Sequence, residues 1–131
     1  MSRRILIATM RNEAPFILEW LAYHRVIGFD AAIIWSNDSD DGTTALLNRL
    51  DEAGVIAHRH WSPDAERPIV DQLAEDAAQA RLFEDGDWVM WLDADEFLNI
   101  HVGEGRLDDL IAALGDHRGI CATWRLSLIH I

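Results

Sequence analysis

Three carboxylates, Asp93, Asp95 and Glu96, follow directly on the apolar run Trp88–Leu92. That run, opened by the turn signal Asp85-Gly86-Asp87, reads as a strand buried on both faces. In open α/β sheets, ligands sit just beyond the carboxyl ends of such strands. Side chains two residues apart on an extended chain point the same way, with Cα atoms ~6–7 Å apart. Asp93 and Asp95 therefore face one ligand together if the extended geometry persists that far. Two carboxylates held close without a cation repel, and one takes up a proton. A divalent metal relieves the repulsion, and clustered oxygen donors suit Mn²⁺ or Mg²⁺. The competing local reading is strand-end turn and cap chemistry.

The spacing by itself says little. Fifteen Asp in 131 residues give about 1.7 Asp-x-Asp pairs by chance, so context decides. The three present are Asp38/Asp40, Asp85/Asp87 and Asp93/Asp95. Asp85/Asp87 precedes its strand, on the wrong side for a ligand, and reads as a turn. The other two follow predicted strands.

Two further strand ends carry polar clusters. Thr9-Met-Arg-Asn-Glu13 closes the first strand. Arg11 is suited either to a bidentate bond with a diphosphate or to a surface salt bridge. Asn12 or Glu13 is suited to cap the next helix, Asn12 the more so. Ser36-Asn-Asp-Ser-Asp-Asp-Gly-Thr43 closes the second strand. Asp41 and Thr43 read as cap or turn residues, whereas Ser36, Asn37 and Asp38 stand nearest the strand end, where a base or ribose would lie. His58 and His60 are two apart on a strand and read as strand-face residues. His24 reads as a satisfied core or boundary histidine, Gln72 and Arg81 as solvated, and Trp88 and Trp91 as core.

The elements that must position these clusters alternate between strand and helix. Strands are expected over Ile5–Thr9, Ala31–Trp35, Val55–His60, Trp88–Leu92 and around Ile120–Trp124. Helices are expected over Pro15–Ile27, Thr43–Ala53, Ile69–Phe83 and Leu107–Leu114. Pro15 suits a first helical turn, Phe16, Ile17, Trp20, Leu21 and Ile27 have helical spacing, and Gly28 and Gly54 are stops. Such alternation predicts an α/β fold with a Rossmann-like, mostly parallel sheet and flanking helices. No Gly-x-Gly-x-x-Gly follows the first strand and no Walker-type Gly-Lys-Ser/Thr occurs, so a phosphate-bearing ligand needs other handles, a metal with an Arg.

Composition sets limits. Twenty-three acidic residues stand against 11 Arg and no Lys, a formal charge of −12. That disfavours nucleic-acid binding by phosphate neutralisation, and an anionic membrane surface repels the chain. Half of the residues are hydrophobic and six are Trp, enough for one core. The single Cys121 excludes an internal disulfide framework and fits a reducing compartment. Ile5–Ala8 is too short for a signal-peptide core, and no apolar stretch has bilayer-spanning length. A cytoplasmic location is expected, peripheral to the inner membrane face only through parts outside this chain.

Taken together, Met10-Arg-Asn-Glu13, Leu18-Glu-Trp-Leu-Ala-Tyr-His-Arg-Val-Ile-Gly28, Asn37-Asp-Ser-Asp-Asp-Gly-Thr43 and Trp88-Val-Met-Trp-Leu-Asp-Ala-Asp-Glu-Phe97 resemble the nucleotide-sugar-binding half of a GT-A glycosyltransferase. The resemblance is family-2-like and covers about residues 4–125. It implies a transferase moving a sugar from a nucleoside-diphosphate sugar to a glycan, lipid or protein acceptor, with inversion. It also implies that Thr9, Arg11, Asn12, Glu13, Asn37, Asp38 and Asp93 line the nucleotide sugar, and that Asp93 and Asp95 hold the metal. The catalytic base comes from beyond the metal motif in that family. Glu96 is not expected to supply it, since neighbouring strand residues point to opposite faces. Relatives commonly have an acidic residue where Ser36-Asn37 stands. The terminal Leu-Ser-Leu-Ile-His-Ile131 reads like a translated sequencing adapter, so residues 126–131 are expected to be non-native and the domain truncated.

Two rivals stand beside this reading. A HAD-type phosphohydrolase also opens on an apolar strand and Asp-x-Asp, with Asp93 as nucleophile and Asp95 as acid. It expects that motif on the first strand and a Lys, which this chain lacks. A nucleotide-sugar or Ca²⁺-binding module without turnover is the other.

Overall fold

The computed structural model describes residues 2–37 and 41–123. The elements run β1 (Arg4–Met10), α1 (Ala14–Ile27), β2 (Ala31–Ser36), α2 (Thr43–Glu52), β3 (Ala57–His60), α3 (Ile69–Gln79), β4 (Trp88–Trp91) and α4 (Leu107–Leu114). The four strands form one parallel sheet in the order β3-β2-β1-β4. The α/β expectation is met.

The strand order sets where a ligand can sit. The chain moves outward from β1 to β2 to β3, then α3 carries it back across to the other side of β1. The direction of winding therefore reverses between β1 and β4. At such a reversal the loops leaving the two strands diverge and open a crevice at their carboxyl ends.

Alternation along the strands builds two cores. Leu6, Ala8 and Met10 of β1 and Ala32 and Ile34 of β2 pack with Ile17, Trp20 and Leu21 of α1 and Leu47 of α2. Ile5, Ile33 and Trp35 pack on the opposite face with Leu73 and Ala77 of α3. β1, covered on both faces, is the strand that a continuous apolar run describes. β4 departs from that expectation. It pairs with β1 on one side and forms the sheet edge among the described residues, with Val89 39% exposed and its other members partly buried.

Other boundaries also differ. α3 stops at Gln79, and Arg81 takes a left-handed φ of 52° that turns Leu82 and Phe83 back onto the core. Phe16 is 51% exposed and stands outside the packed face of α1. Gln72, expected to be solvated, ties down the preceding loop: it accepts from Asp64 N (2.8 Å) and donates to the carbonyls of Asp64 and Arg67 (2.9 and 3.0 Å). Residues 120–123 are exposed and form no strand, and Trp124 lies outside the described residues, as does the segment 126–131. Gly28 ends α1 at φ 123°, where a Cβ would come within 3.3 Å of Leu107 Cβ on α4.

Two polar anchors fasten the sheet. Asp87, a turn residue as expected, accepts from Arg3 N, Arg3 Nη2 and Glu84 N at 2.8–2.9 Å, joining the starts of β1 and β4. The Arg3 guanidinium and these N–H donors hold its carboxyl down at about 2. On the α3 face, Trp35 Nε1 donates to Asp76 Oδ2 (2.7 Å), and Arg59 holds the same carboxylate. Trp35 is 1% exposed, so its N–H has no recourse to water. Asp76→Ala is expected to destabilise the chain by about 1–3 kcal/mol, the cost of a stranded buried donor. Asp76→Asn, which keeps an acceptor, is expected to lose less, and urea unfolding of both variants measures the difference.

Candidate functional site

At the end of β1, Thr9 is partly buried, whereas Arg11 and Asn12 are exposed. Asn12 has a left-handed φ of 56°, a conformation Asn tolerates better than most residues. Neither Asn12 nor Glu13 caps α1 as expected. Glu13 occupies the cap position without a side-chain capping bond. The cap comes from the next turn: Thr43 Oγ1 accepts the N–H groups of Glu13 (2.9 Å) and Ala14 (3.0 Å), and Asp41 Oδ2 accepts Ala14 N at 3.4 Å. Asp41 Oδ1 in turn accepts from Thr43 N at 3.0 Å and from the Thr43 hydroxyl. One Asp-Thr pair thus satisfies orphan donors at two helix starts.

At the end of β4, the strand geometry stops sooner than the spacing argument required. Leu92 N still bonds to Ile7 O (3.1 Å), and then the chain turns. Glu96 N donates to Asp93 O (3.0 Å), and Asp93 N donates to Glu96 Oε1 (2.8 Å). Asp93 and Asp95 are exposed while Leu92 and Ala94 are buried, so both carboxylates remain on the solvent side. The turn also removes the argument that set Glu96 on the opposite face, because its carboxylate folds back onto the Asp93 amide.

The carboxylates feel one another. Burial pushes the Glu13 carboxyl up from its ordinary value, with Asp95, Asp93 and Asp41 adding to the effect. Burial also pushes Asp93 up, reinforced by Glu96 and Asp95. The crevice between β1 and β4 therefore gathers acidic groups from both strand ends. Arg11 makes no ion pair with any described residue. Among the described residues no three side chains form a ready-made metal cage. A Mg²⁺-type ion does not need one, since it commonly takes one or two carboxylates and completes its shell with waters and substrate phosphates. Asp93 and Asp95 fit that donor set.

A second feature lies at the ends of β2 and β3. A cleft of about 420 Å³ is lined by Ser36, Asn37, His60, Trp61 and Ser62. Beneath it His58 Nε2 meets Ser36 Oγ (2.6 Å) and His58 Nδ1 meets Asn48 Oδ1 (2.8 Å), with His60 Nε2 3.2 Å from the same oxygen. The strand-face reading of the two histidines omitted this network. Asp38 lies outside the described residues.

The sequence reading also missed what fixes the acidic turn. Three side chains of α1, at spacings of three and four, reach the backbone that follows Asp95. Trp20 Nε1 donates to Glu96 O (3.0 Å) and Tyr23 Oη donates to Leu98 O (2.7 Å), while His24 Nε2 accepts from Leu98 N (3.2 Å). Residues at i, i+3 and i+4 share one helix face, so Trp20, Tyr23 and His24 carried a readable signal. It was three polar-tipped rings on the buried side of a helix.

The family model described as glycosyltransferase family 92 matches residues 7–130. A family 92 protein of Oryza sativa subsp. japonica is 35% identical over 105 residues, covering 78% of this chain and 17% of the relative. One from Arabidopsis thaliana is 31% identical over 86 residues, 66% of this chain and 14% of the relative. One from Ricinus communis is 33% identical over 98 residues, 74% of this chain and 17% of the relative. The chain thus spans less than a fifth of the length of these curated relatives. By the extent of the family match, the chain belongs to glycosyltransferase family 92.

Proposed function

We propose that this chain is the nucleotide-sugar-binding part of a metal-dependent, GT-A-type glycosyltransferase that moves a sugar from a nucleoside-diphosphate donor to an acceptor hydroxyl with inversion. The observation that carries the reading is the meeting of Glu13, Asp93 and Asp95 at the reversal between β1 and β4, with two of these acids held above their ordinary range. Crowded carboxylates of this kind are costly without a cation and become compatible once one is bound.

Asp93 and Asp95 are the residues that would hold Mn²⁺ or Mg²⁺, which when bound neutralises the charge developing on the leaving diphosphate. Arg11, exposed at the end of β1, would make a bidentate contact with a phosphate. Thr9, Asn12, Glu13, Asn37 and Asp38 complete the proposed donor side, with Asn37 entering through the cleft beside Trp61. A contact that strengthens as the sugar–phosphate bond breaks lowers the barrier, and one made equally in the ground state does not. The phosphohydrolase alternative has less support, because the paired aspartates follow the fourth strand and not the first.

Two outcomes test the reading. Calorimetric titration with UDP in the presence of Mn²⁺ is expected to show binding that requires the metal, and Asp95→Ala is expected to weaken it by at least roughly tenfold, or 1.4 kcal/mol. Equal affinity in wild type and variant would remove Asp95 from the metal site. The second outcome concerns protons. Because Glu13 and Asp93 are pushed up, metal binding in mildly acidic buffer is expected to release protons, and affinity to fall with pH sooner than for ordinary carboxylates. By the same sign, the ionised form of Asp93 is disfavoured in the fold. Asp93→Asn is therefore expected to raise the Tm of the metal-free chain while abolishing metal-dependent binding.

A further inference from the structure

We propose that His24 is a positioning residue: by accepting the Leu98 N–H at Nε2 it holds the Asp93–Glu96 turn in the shape that receives a divalent cation. The proposal rests on the cation reading of that turn, but the observations behind it are separate. His24 is 1% exposed and lies 74 residues from Leu98 in sequence. Its Nδ1 is 2.8 Å from Trp20 O and its Nε2 is 3.2 Å from Leu98 N.

The partners dictate the state of the ring. A carbonyl oxygen only accepts, so Nδ1 carries the hydrogen. An amide N–H only donates, so Nε2 must be bare. A single tautomer, and that one uncharged, satisfies both bonds. Protonation would set two N–H groups against each other at Nε2 and free the Leu98 amide. Burial lowers the affinity of the ring for that proton, opposed by the bond to Trp20.

The surroundings enforce the orientation. The ring centroids of Trp20 and Tyr23 lie 5.1 Å from that of His24, and those of Phe29 and Phe97 lie 5.7 Å away, with Phe97 stacked at 20°. Phe97 sits two residues after Asp95, so the ring cage includes a residue of the chain that leaves the acidic turn. Arg25 of α1 and Asp30 before β2 border the small cavity beside His24, and the Tyr23 phenol and Glu96 carbonyl are its other polar neighbours on the turn side. A histidine serving packing alone would need no acceptor here. Leu98 N–H, buried beside apolar rings, does need one.

The test combines His24→Phe, which keeps an aromatic ring and removes the acceptor, with Leu73→Ala on α3 as a control for general destabilisation. Leu73 is buried in the core on the other face of the sheet from α1. Two quantities are read on the whole chain at pH 7.5: hydrogen-exchange protection of the Leu98 amide, and affinity for Mn²⁺ with UDP by calorimetry. His24→Phe is expected to lower both by about tenfold or more, the scale of a support around a metal ligand. Leu73→Ala is expected to lower Tm and leave the metal affinity unchanged. Unaltered affinity in His24→Phe, or an equal loss in both variants, would overturn the proposal.

If His24→Phe does not fold, the wild-type chain answers alone. Ring ¹⁵N shifts are expected to show the Nδ1–H tautomer at neutral pH and a titration midpoint lowered from the ordinary imidazole value. The sign follows: a depressed folded pKa means that the His24 contribution is present above the unfolded value and is lost as pH falls through the folded one. Leu98 protection should fall through that same midpoint, and protection that survives ring protonation would refute the latch. A wild-type chain that binds no Mn²⁺ with UDP would instead sink the cation reading, and the metal half of the proposal with it, while the Leu98 data would still report whether the bond exists.

Discussion

The backbone of the acidic turn leaves the sheet before it has found partners of its own, and the outer architecture follows from how that deficit is met. After Leu92 the ladder to β1 ends. The carbonyls of Glu96 and Leu98 and the amide of Leu98 then bond to side chains of α1. Buried backbone groups must be paired somewhere, and here a helix supplies donors and an acceptor from three positions on one face. That arrangement also explains why α1 carries Trp20, Tyr23 and His24 where aliphatic residues would fill the same space. The segment that follows, with Leu98, Ile100 and Leu107 buried, can then run across the α1 face and join its core.

The rim and the core are built to different ends. Most buried residues are apolar and lie against the sheet, whereas at the rim Glu13 and Asp93 are pushed up by burial and by the carboxylates beside them. Nothing in folding alone rewards such crowding; local frustration of this kind concentrates where a protein meets its ligand. The opposite treatment is given to Asp87, a carboxylate of the same strand region. Surrounded by three N–H donors, it is held down at about 2 and serves the fold. Two aspartates six residues apart thus have opposite electrostatic fates: N–H donors hold Asp87 down, while burial, reinforced by neighbouring carboxylates, pushes Asp93 up.

Much of this was legible before any coordinates. Eight of the nine expected elements have the right type, seven of them within two residues at each end, and α4 agrees to the residue. β4 was placed correctly, although its depth of burial was not. The apolar run Trp88–Leu92 carries no information about which strands stand beside it, and neighbours in the sheet decide burial. α3 was read as too long because Leu82 and Phe83 keep the helical period while Arg81 breaks the helix. At the site, the convergence of the β1 and β4 ends was readable from strand-end chemistry. The turn that brings it about was not, because Ala94 and Glu96 are weak turn signals and the shape depends on a carboxylate bonding to the Asp93 amide. His24 was set aside as a core residue for a related reason: its partner is 74 positions away, and spacing along a helix shows a face without showing what lies against it.

Thr43 has a consequence of its own. Its hydroxyl oxygen takes the first amides of α1 while its own amide and hydroxyl are held by Asp41, so the starts of two helices are tied at one atom pair. The first turns of α1 and α2 are therefore coupled mechanically. A shift of either one pulls on the other through a fully buried threonine, so the two helix starts move as one body or not at all.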